Sequence, residues 1–166
     1  MPARCLLWQA LRDEEGPVHA CWFCAGPEHF AAVAASVASA ALQEGQAVYV
    51  LGSSAFLEAF RASLPLSESR LLTAIDTSTV GPGDLARVTA DTPCRTLVIH
   101  TVDAAYTLGI NGNGVTSRER LQEREQLLGQ LADAGLVRCL CAYDLSAVCA
   151  WRADTVAEQH HRYLAT

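Results

Sequence analysis

The sequence contains no lysine, and all twelve of its basic residues are arginine. This absence excludes Schiff-base chemistry and the phosphate-binding lysine of nucleotide-binding loops. The formal net charge is −6 and no basic run occurs, which disfavours sequence-independent nucleic-acid binding. No apolar run is long enough to cross a bilayer, and charges interrupt the first residues before the apolar region of a signal peptide develops. We therefore expect a cytoplasmic protein that contacts neither nucleic acid nor membrane directly.

Apolar residues are plentiful, at 51% of the 166 residues, and they alternate between short runs and helical stripes. Near-continuous apolar strands separated by helices are typical of a parallel sheet covered on both faces. We predict a single three-layer α/β domain over residues 18–166, with a mainly parallel sheet of about five to seven strands. Residues 1–17 are an extension that forms an edge strand or a short helix. The predicted strands are 18–24, 47–51, 70–75, 95–101 and 137–143, and the predicted helices include 27–44, 53–64, 116–135 and 153–164.

Seven cysteines, an odd number without a disulfide-type pattern, are expected to stay reduced. Cys21 and Cys24 lie on one predicted strand, where residues three apart point to opposite faces, so they cannot share a metal ion or a disulfide. Cys139 and Cys141 share a face but are poorly spaced for a disulfide. Zinc would need further ligands, for which His19, His100, His160 and His161 are the candidates, and no second spaced Cys/His pair occurs. We expect no metal site and no cofactor.

A cysteine-based redox or metal sensor remains an alternative. A parallel sheet could place the first and fifth predicted strands side by side, which would bring Cys21 near Cys139 or Cys141. Trp22 and His100 are expected to be packing groups within the sheet.

Acidic residues follow three of the apolar strands, at Asp76, Asp103 and Asp144. Ligands of open parallel sheets bind outside the carboxyl ends of the strands, so these acids predict a ligand site there. Ordinary capping of the following turns is the other interpretation, and it stays open. The segment "GINGNG" (109–114) is read as a loop, because it does not run directly from strand to helix as a dinucleotide fingerprint does. No nucleophile with an assigned base is visible, so we predict no enzymatic activity, and a small thiol- or acid-dependent enzyme is the second alternative.

The stretches "HACWF", "EGQAVYVLGSS" and "LCAYDLSAV" together resemble the MEDS sensory domains of methanogens and methylotrophs. The resemblance implies a degenerate α/β core related to the RecA/KaiC type, without its catalytic loops. It further implies a non-enzymatic bacterial signalling domain that binds a small ligand, such as a hydrocarbon derivative, or a protein partner, and feeds transcriptional regulation. The positions that match the family motifs are His19, Cys21, Phe23, Cys141, Tyr143 and Asp144, while Asp103 and Tyr106 take the acidic and aromatic places after the fourth strand.

The predicted ligand-binding set combines the strand-end positions with the matched positions. No residue is assigned a catalytic or metal-binding role. The sequence leaves open the identity of the ligand and of the partner, and whether the chain is a monomer or a homodimer. The predicted ligand-binding residues are His19, Cys21, Phe23, Cys24, Asp76, Asp103, Tyr106, Cys141, Tyr143 and Asp144.

Overall fold

The structure is a computed structural model, and it describes residues 6–24, 27–77, 96–102, 117–144, 160 and 162–164. Within these ranges helices and strands alternate along most of the chain, as the apolar pattern predicts. The helices are α1 (Leu6–Arg12), α2 (Pro27–Gln43), α3 (Ser54–Ala62), α4 (Leu66–Ser69) and α5 (Ser117–Asp133), and the strands are β1 (Val18–Cys24), β2 (Ala47–Gly52), β3 (Thr73–Asp76), β4 (Thr96–Val102), β5 (Arg138–Asp144) and β6 (Arg162–Leu164).

The strands form one six-stranded sheet in the order β3-β2-β4-β5-β1-β6. Every neighbouring pair is parallel. Strands β1 and β5 lie side by side over seven residue pairs, with Cys21 opposite Cys141. The prediction of a mainly parallel sheet in an α/β domain is confirmed, and so is the expected proximity of Cys21 and Cys141.

The two faces of the sheet carry different layers. Helices α1, α2 and α3 bury an aromatic and aliphatic core, which includes Trp8, Trp22, Phe30 and Phe60, against one face. Helix α5 packs its apolar residues against the other face, where the buried cluster also contains cysteines and Tyr143. Because side chains alternate along a strand, each strand contributes one set of residues to each layer.

The helix ends follow local rules that the sequence displays. The side chain of Ser53 accepts a hydrogen bond from the backbone N–H of Phe56 at 3.2 Å and so caps α3. Two residues after the end of α5, Gly135 adopts a φ of 72°. This left-handed backbone conformation has little energetic cost for glycine, because glycine has no Cβ. This stop turns the chain directly into β5, the strand beneath the same helix.

Residues 6–12 form a short helix, which is one of the two forms predicted for the extension. Two other predictions differ from the structure. Strand β3 begins at Thr73 rather than at residue 70. Residues 162–164, predicted as the end of a closing helix, instead form β6, because three residues of β1 (Ala20–Trp22) offer backbone pairing at the edge of the sheet. Pairing of this kind overrides a weak local preference for helix. None of the described helices is long and apolar enough to span a bilayer.

Candidate metal centre

A group of buried polar side chains lies beneath α5, on the face of the sheet opposite the aromatic core. Alternation sends His19 and Cys21 of β1 to this face, together with Cys139, Cys141 and Tyr143 of β5. His100 reaches the same side from β4, the other neighbour of β5, where it lies in register with Cys141. Three adjacent parallel strands thus supply thiol, imidazole and phenol groups to one small area.

Glu125 of α5 lies over the centre of this area. It occupies the buried face of the helix, in line with Leu121, Leu128 and Ala132, at a spacing of three and four residues. A carboxylate in the middle of an apolar helical stripe must find partners, since an isolated buried charge is very costly. Glu125 is 3% exposed, and polar groups from the sheet surround it.

The two carboxylate oxygens of Glu125 have separate sets of partners. The Oε1 atom accepts a hydrogen bond from the hydroxyl of Tyr143 at 2.6 Å and lies 2.9 Å from Nδ1 of His100. The Oε2 atom lies 3.2 Å from Nε2 of His19, 3.0 Å from Nε2 of His160 and 3.3 Å from Sγ of Cys141. One oxygen is therefore fixed by hydrogen bonds, while the other belongs to a group of potential metal donors.

That second group is compact. The ligand atoms of His19, Glu125, Cys141 and His160 all lie within 4.8 Å of one another. Nε2 of His19 is also 3.3 Å from Sγ of Cys141. Zinc bonds of roughly 2.0–2.3 Å in a tetrahedron place neighbouring ligand atoms about 3.3–3.6 Å apart. Four of the six separations, at 3.0–3.3 Å, are within a few tenths of an ångström of those edges, and all six are within 4.8 Å.

Burial and charge shift the titration of these groups. Burial alone would raise the pKa of Glu125, but hydrogen bonds with His100, His160 and His19 outweigh it and hold that pKa well below its usual value. Burial lowers the pKa of His100, against the raising effect of the neighbouring Glu125 carboxylate. Burial first, and then neighbouring acidic groups including Glu125, raise the pKa values of Cys141 and Tyr143 well above normal. The carboxylate is accordingly the anion of the centre when no metal ion is bound.

Two features of the surroundings shape the centre. A Cβ built on Gly129 of α5 would lie 3.3 Å from Nδ1 of His19, so the glycine leaves the space in which this imidazole lies under the helix. The ring of His160 is tilted by 40° against that of His19, with the two ring centroids 4.2 Å apart, and Tyr143 meets His160 edge-on at a centroid distance of 5.9 Å. These contacts fix the orientations of both imidazoles.

The structure brings together only part of the predicted ligand-binding set. His19, Cys141 and Tyr143 belong to the centre, Cys21 lies beside Cys141 in register, and the ring of Phe23 contacts that of Tyr143 at 5.6 Å. Of the remaining predicted residues, Asp76 lies away from the centre. It ends β3, and three strands lie between β3 and β1. Cys24 and Asp144 are paired at the ends of β1 and β5, but their side chains are outside the described part of the chain. Asp103 and Tyr106 lie outside the described residues.

The centre lies under a helix and not at the carboxyl edge of the sheet, and three of its members were not in the predicted set. His100 is more than the packing group that the sequence suggested, because it contacts Glu125. His160 and Glu125 are the other two. The sequence does contain a signal for Glu125, because an acidic residue at a core position of an apolar helical stripe is unusual. No comparable sequence pattern marks His160.

Comparison with known proteins adds no assignment. No protein-family model matches the sequence. No curated protein matches it either.

Proposed function

We propose that this chain is a metal-responsive sensory domain whose ligand is a divalent transition metal ion of the zinc class. The observation that carries the proposal is the set of four buried donor atoms, from His19, Glu125, Cys141 and His160, within 4.8 Å of one another. Two imidazoles, one thiolate and one carboxylate form a donor set that suits Zn²⁺ and, in the same geometry, Co²⁺.

The charge balance of the centre favours a cation. Zn²⁺ bound by the Cys141 thiolate, the Glu125 carboxylate and two neutral imidazoles would be electrically neutral, which is what a buried site requires. The hydrogen bonds to Oε1 support the same assignment. Metal-binding carboxylates and imidazoles are commonly oriented by outer partners of this kind, and here Tyr143 and His100 would hold Glu125 so that Oε2 faces the ion.

The enclosure of the centre favours regulation over catalysis. All four donors come from the protein and none is more than 9% exposed. Catalytic zinc sites keep an open position for water or substrate, whereas sites with four protein ligands are closed. The resemblance to MEDS domains supports a sensory role with output to a partner protein, and the small ligand of that expectation would here be the metal ion itself.

The test is a metal titration of the purified chain after treatment with a chelator. We expect one equivalent of Co²⁺ to bind, with thiolate charge-transfer absorption and the visible bands of a tetrahedral ion, and Zn²⁺ to displace it. Cys141→Ala should abolish the charge-transfer band. Cys139→Ala is the matched control, because its Sγ lies 3.7 Å from that of Cys141 on the same face of the same strand and is not one of the four donors.

Two results would count against the proposal. Absence of stoichiometric binding, or equal loss of the band in both cysteine variants, would remove the metal centre. Unfolding of the chain on metal removal, followed by circular dichroism, would keep the centre but make the ion structural, since a sensor must remain folded in both states.

A thiol redox sensor is the second candidate function, favoured by the proximity of Cys21 and Cys139 to Cys141. Against it, burial and the charge of Glu125 raise the pKa of Cys21 to about 11. Thiolate is the reactive form, so we expect these cysteines to react slowly with iodoacetamide in the folded, metal-free protein and rapidly after denaturation. Mass spectrometry of the labelled peptides measures this. Formation of a Cys21–Cys141 disulfide by dilute peroxide in the folded protein would favour the redox function instead.

A further inference from the structure

The four donors differ in how firmly the fold holds them. His19 and Cys141 stand on β1 and β5, which pair over seven residues in the interior of the sheet, and Glu125 stands on the seventeen-residue helix α5. His160 is different, because it lies only two residues before β6, at the edge of the sheet. Three donors therefore lie on elements of the core, and the fourth lies next to the short edge strand β6.

Few backbone pairs hold that strand. β6 is three residues long and, among the described strands, pairs with β1 alone, through Ala20–Trp22. Short edge segments open at low free energy, because few hydrogen bonds and little buried surface oppose their release. Next to β6, the buried ring of His160 lies 3.0 Å from Oε2 of Glu125 and is tilted against the ring of His19.

We propose that metal binding at this centre controls the docking of β6 on the edge of β1. This inference rests on the metal centre proposed above. A ligand stabilises the state to which it binds more tightly, and only the docked state offers all four donors. Bound metal therefore holds His160 in place and, through it, the strand that follows. Loss of metal leaves β6 with its three residue pairs and the contacts of His160 with Glu125 and His19, so a larger share of molecules releases the strand and frees the backbone groups of β1 that it covers.

The released edge gives the sensor an output. An uncovered strand edge presents unpaired N–H and C=O groups, to which an extended polypeptide segment can add. In the metal-bound state, β6 occupies the part of that edge formed by Ala20–Trp22. A partner protein would thus respond to the metal ion through the edge of β1, which is covered by β6 when metal is bound and uncovered when it is not.

The experiment is hydrogen–deuterium exchange of the full chain, followed by mass spectrometry, with excess Zn²⁺ or with EDTA. We expect exchange in the peptide containing Arg162–Leu164 to slow about tenfold or more with Zn²⁺, since saturating ligand reduces opening in proportion to its preference for the docked state. The peptide containing β3, at the far edge of the sheet, should change little. Co²⁺ absorption measured on the same sample reports binding independently.

His160→Ala and the matched His29→Ala, at an exposed position on α2, complete the test. His160→Ala should retain a Co²⁺–thiolate band through the three remaining donors but lose the metal-dependent protection of β6, whereas His29→Ala should behave as the parent protein. Metal binding without protection of β6, or protection that persists in His160→Ala, overturns this inference and leaves the metal centre standing. Failure of the parent protein to bind metal overturns both.

Discussion

At the scale of single residues, Glu125 organises the centre because its two oxygens face different partners. Oε1 meets the Tyr143 hydroxyl and His100, and Oε2 meets two further imidazoles and a thiol. Five buried polar groups converge on a single carboxylate, and each would lose that contact without it. The free energy of folding and the affinity for metal therefore both depend on this side chain.

Glu125→Gln is the sharpest test of that dependence. The amide keeps the shape of the side chain but loses its charge, and its NH₂ group faces donors instead of accepting from them. We expect the metal-free variant to lose about 1–3 kcal/mol of stability, the usual cost of unsatisfied buried polar groups, and its zinc affinity to fall sharply. Urea denaturation and competition with a chelating dye measure the two effects. Glu123→Gln, two residues away on the exposed side of α5, should change neither.

Tyr143→Phe separates orientation of the ligand from ligation itself. The variant removes the hydroxyl that donates to Oε1 at 2.6 Å and leaves all four donors in place. Loss of an outer hydrogen bond of this type lowers metal affinity by roughly 10–100-fold. Dye competition should show this drop while stoichiometry stays at one. A Tyr49→Phe control on β2 should bind as the parent does, and an unchanged affinity in Tyr143→Phe would mean that Oε1 plays no part in holding the ion.

At the scale of elements, α5 carries the carboxylate of Glu125 and, one turn later, Gly129, which has no side chain and leaves a space. Glu125 points into the centre, and Gly129 gives His19 the room to lie beneath the helix. The two positions are four apart and thus share a face. The helix therefore positions one ligand and makes room for another.

Gly129→Ala should weaken metal binding without unfolding the protein. The added Cβ would stand 3.3 Å from Nδ1 of His19, so the imidazole has to move by a few tenths of an ångström away from its place near Oε2. Alanine also favours helix over glycine by about 1 kcal/mol, which offsets the displacement. We expect the stability of the metal-free protein to stay within about 1 kcal/mol of the parent value while zinc affinity falls. Gln130→Ala, exposed on the same helix, is the control.

The elements also show where sequence reasoning succeeded and where it failed. Apolar runs located β1, β2, β4 and β5 to within a residue or two, and alternation correctly put Cys139 and Cys141 on one face. Glu125 was missed because its partner His19 is 106 residues away, and no local pattern encodes such a pairing. β6 was missed because its strand form depends on the edge of β1, and its own three residues do not specify it.

At the scale of the whole molecule, the metal-free protein should lose stability as the pH falls. Burial lowers the pKa of His100 below 6.5, so below that pH the unfolded chain takes up a proton that the folded chain does not. Glu125 acts in the same direction below 4.5, since its histidine partners hold its pKa well below that value despite burial. Preferential proton binding by the unfolded state lowers the free energy of unfolding.

Urea denaturation in EDTA, repeated from about pH 7.5 to about pH 4, measures this dependence. We expect the free energy of unfolding to decline from about pH 6.5 downward and more steeply below about pH 4.5. His100→Asn keeps an N–H donor but cannot titrate, so its curve should be flatter in the upper part of the range. An equal slope in the two proteins between about pH 6.5 and pH 5 would assign the effect to other groups.

The separation of the two layers has a consequence for how such a chain can change over generations. The aromatic layer under α1, α2 and α3 contains none of the proposed donors, so most of the cohesion of the domain lies across the sheet from the chemistry. Lineages could therefore exchange one donor for another beneath α5, and drift from one ion to a different signal, while the scaffold that carries them stays much the same.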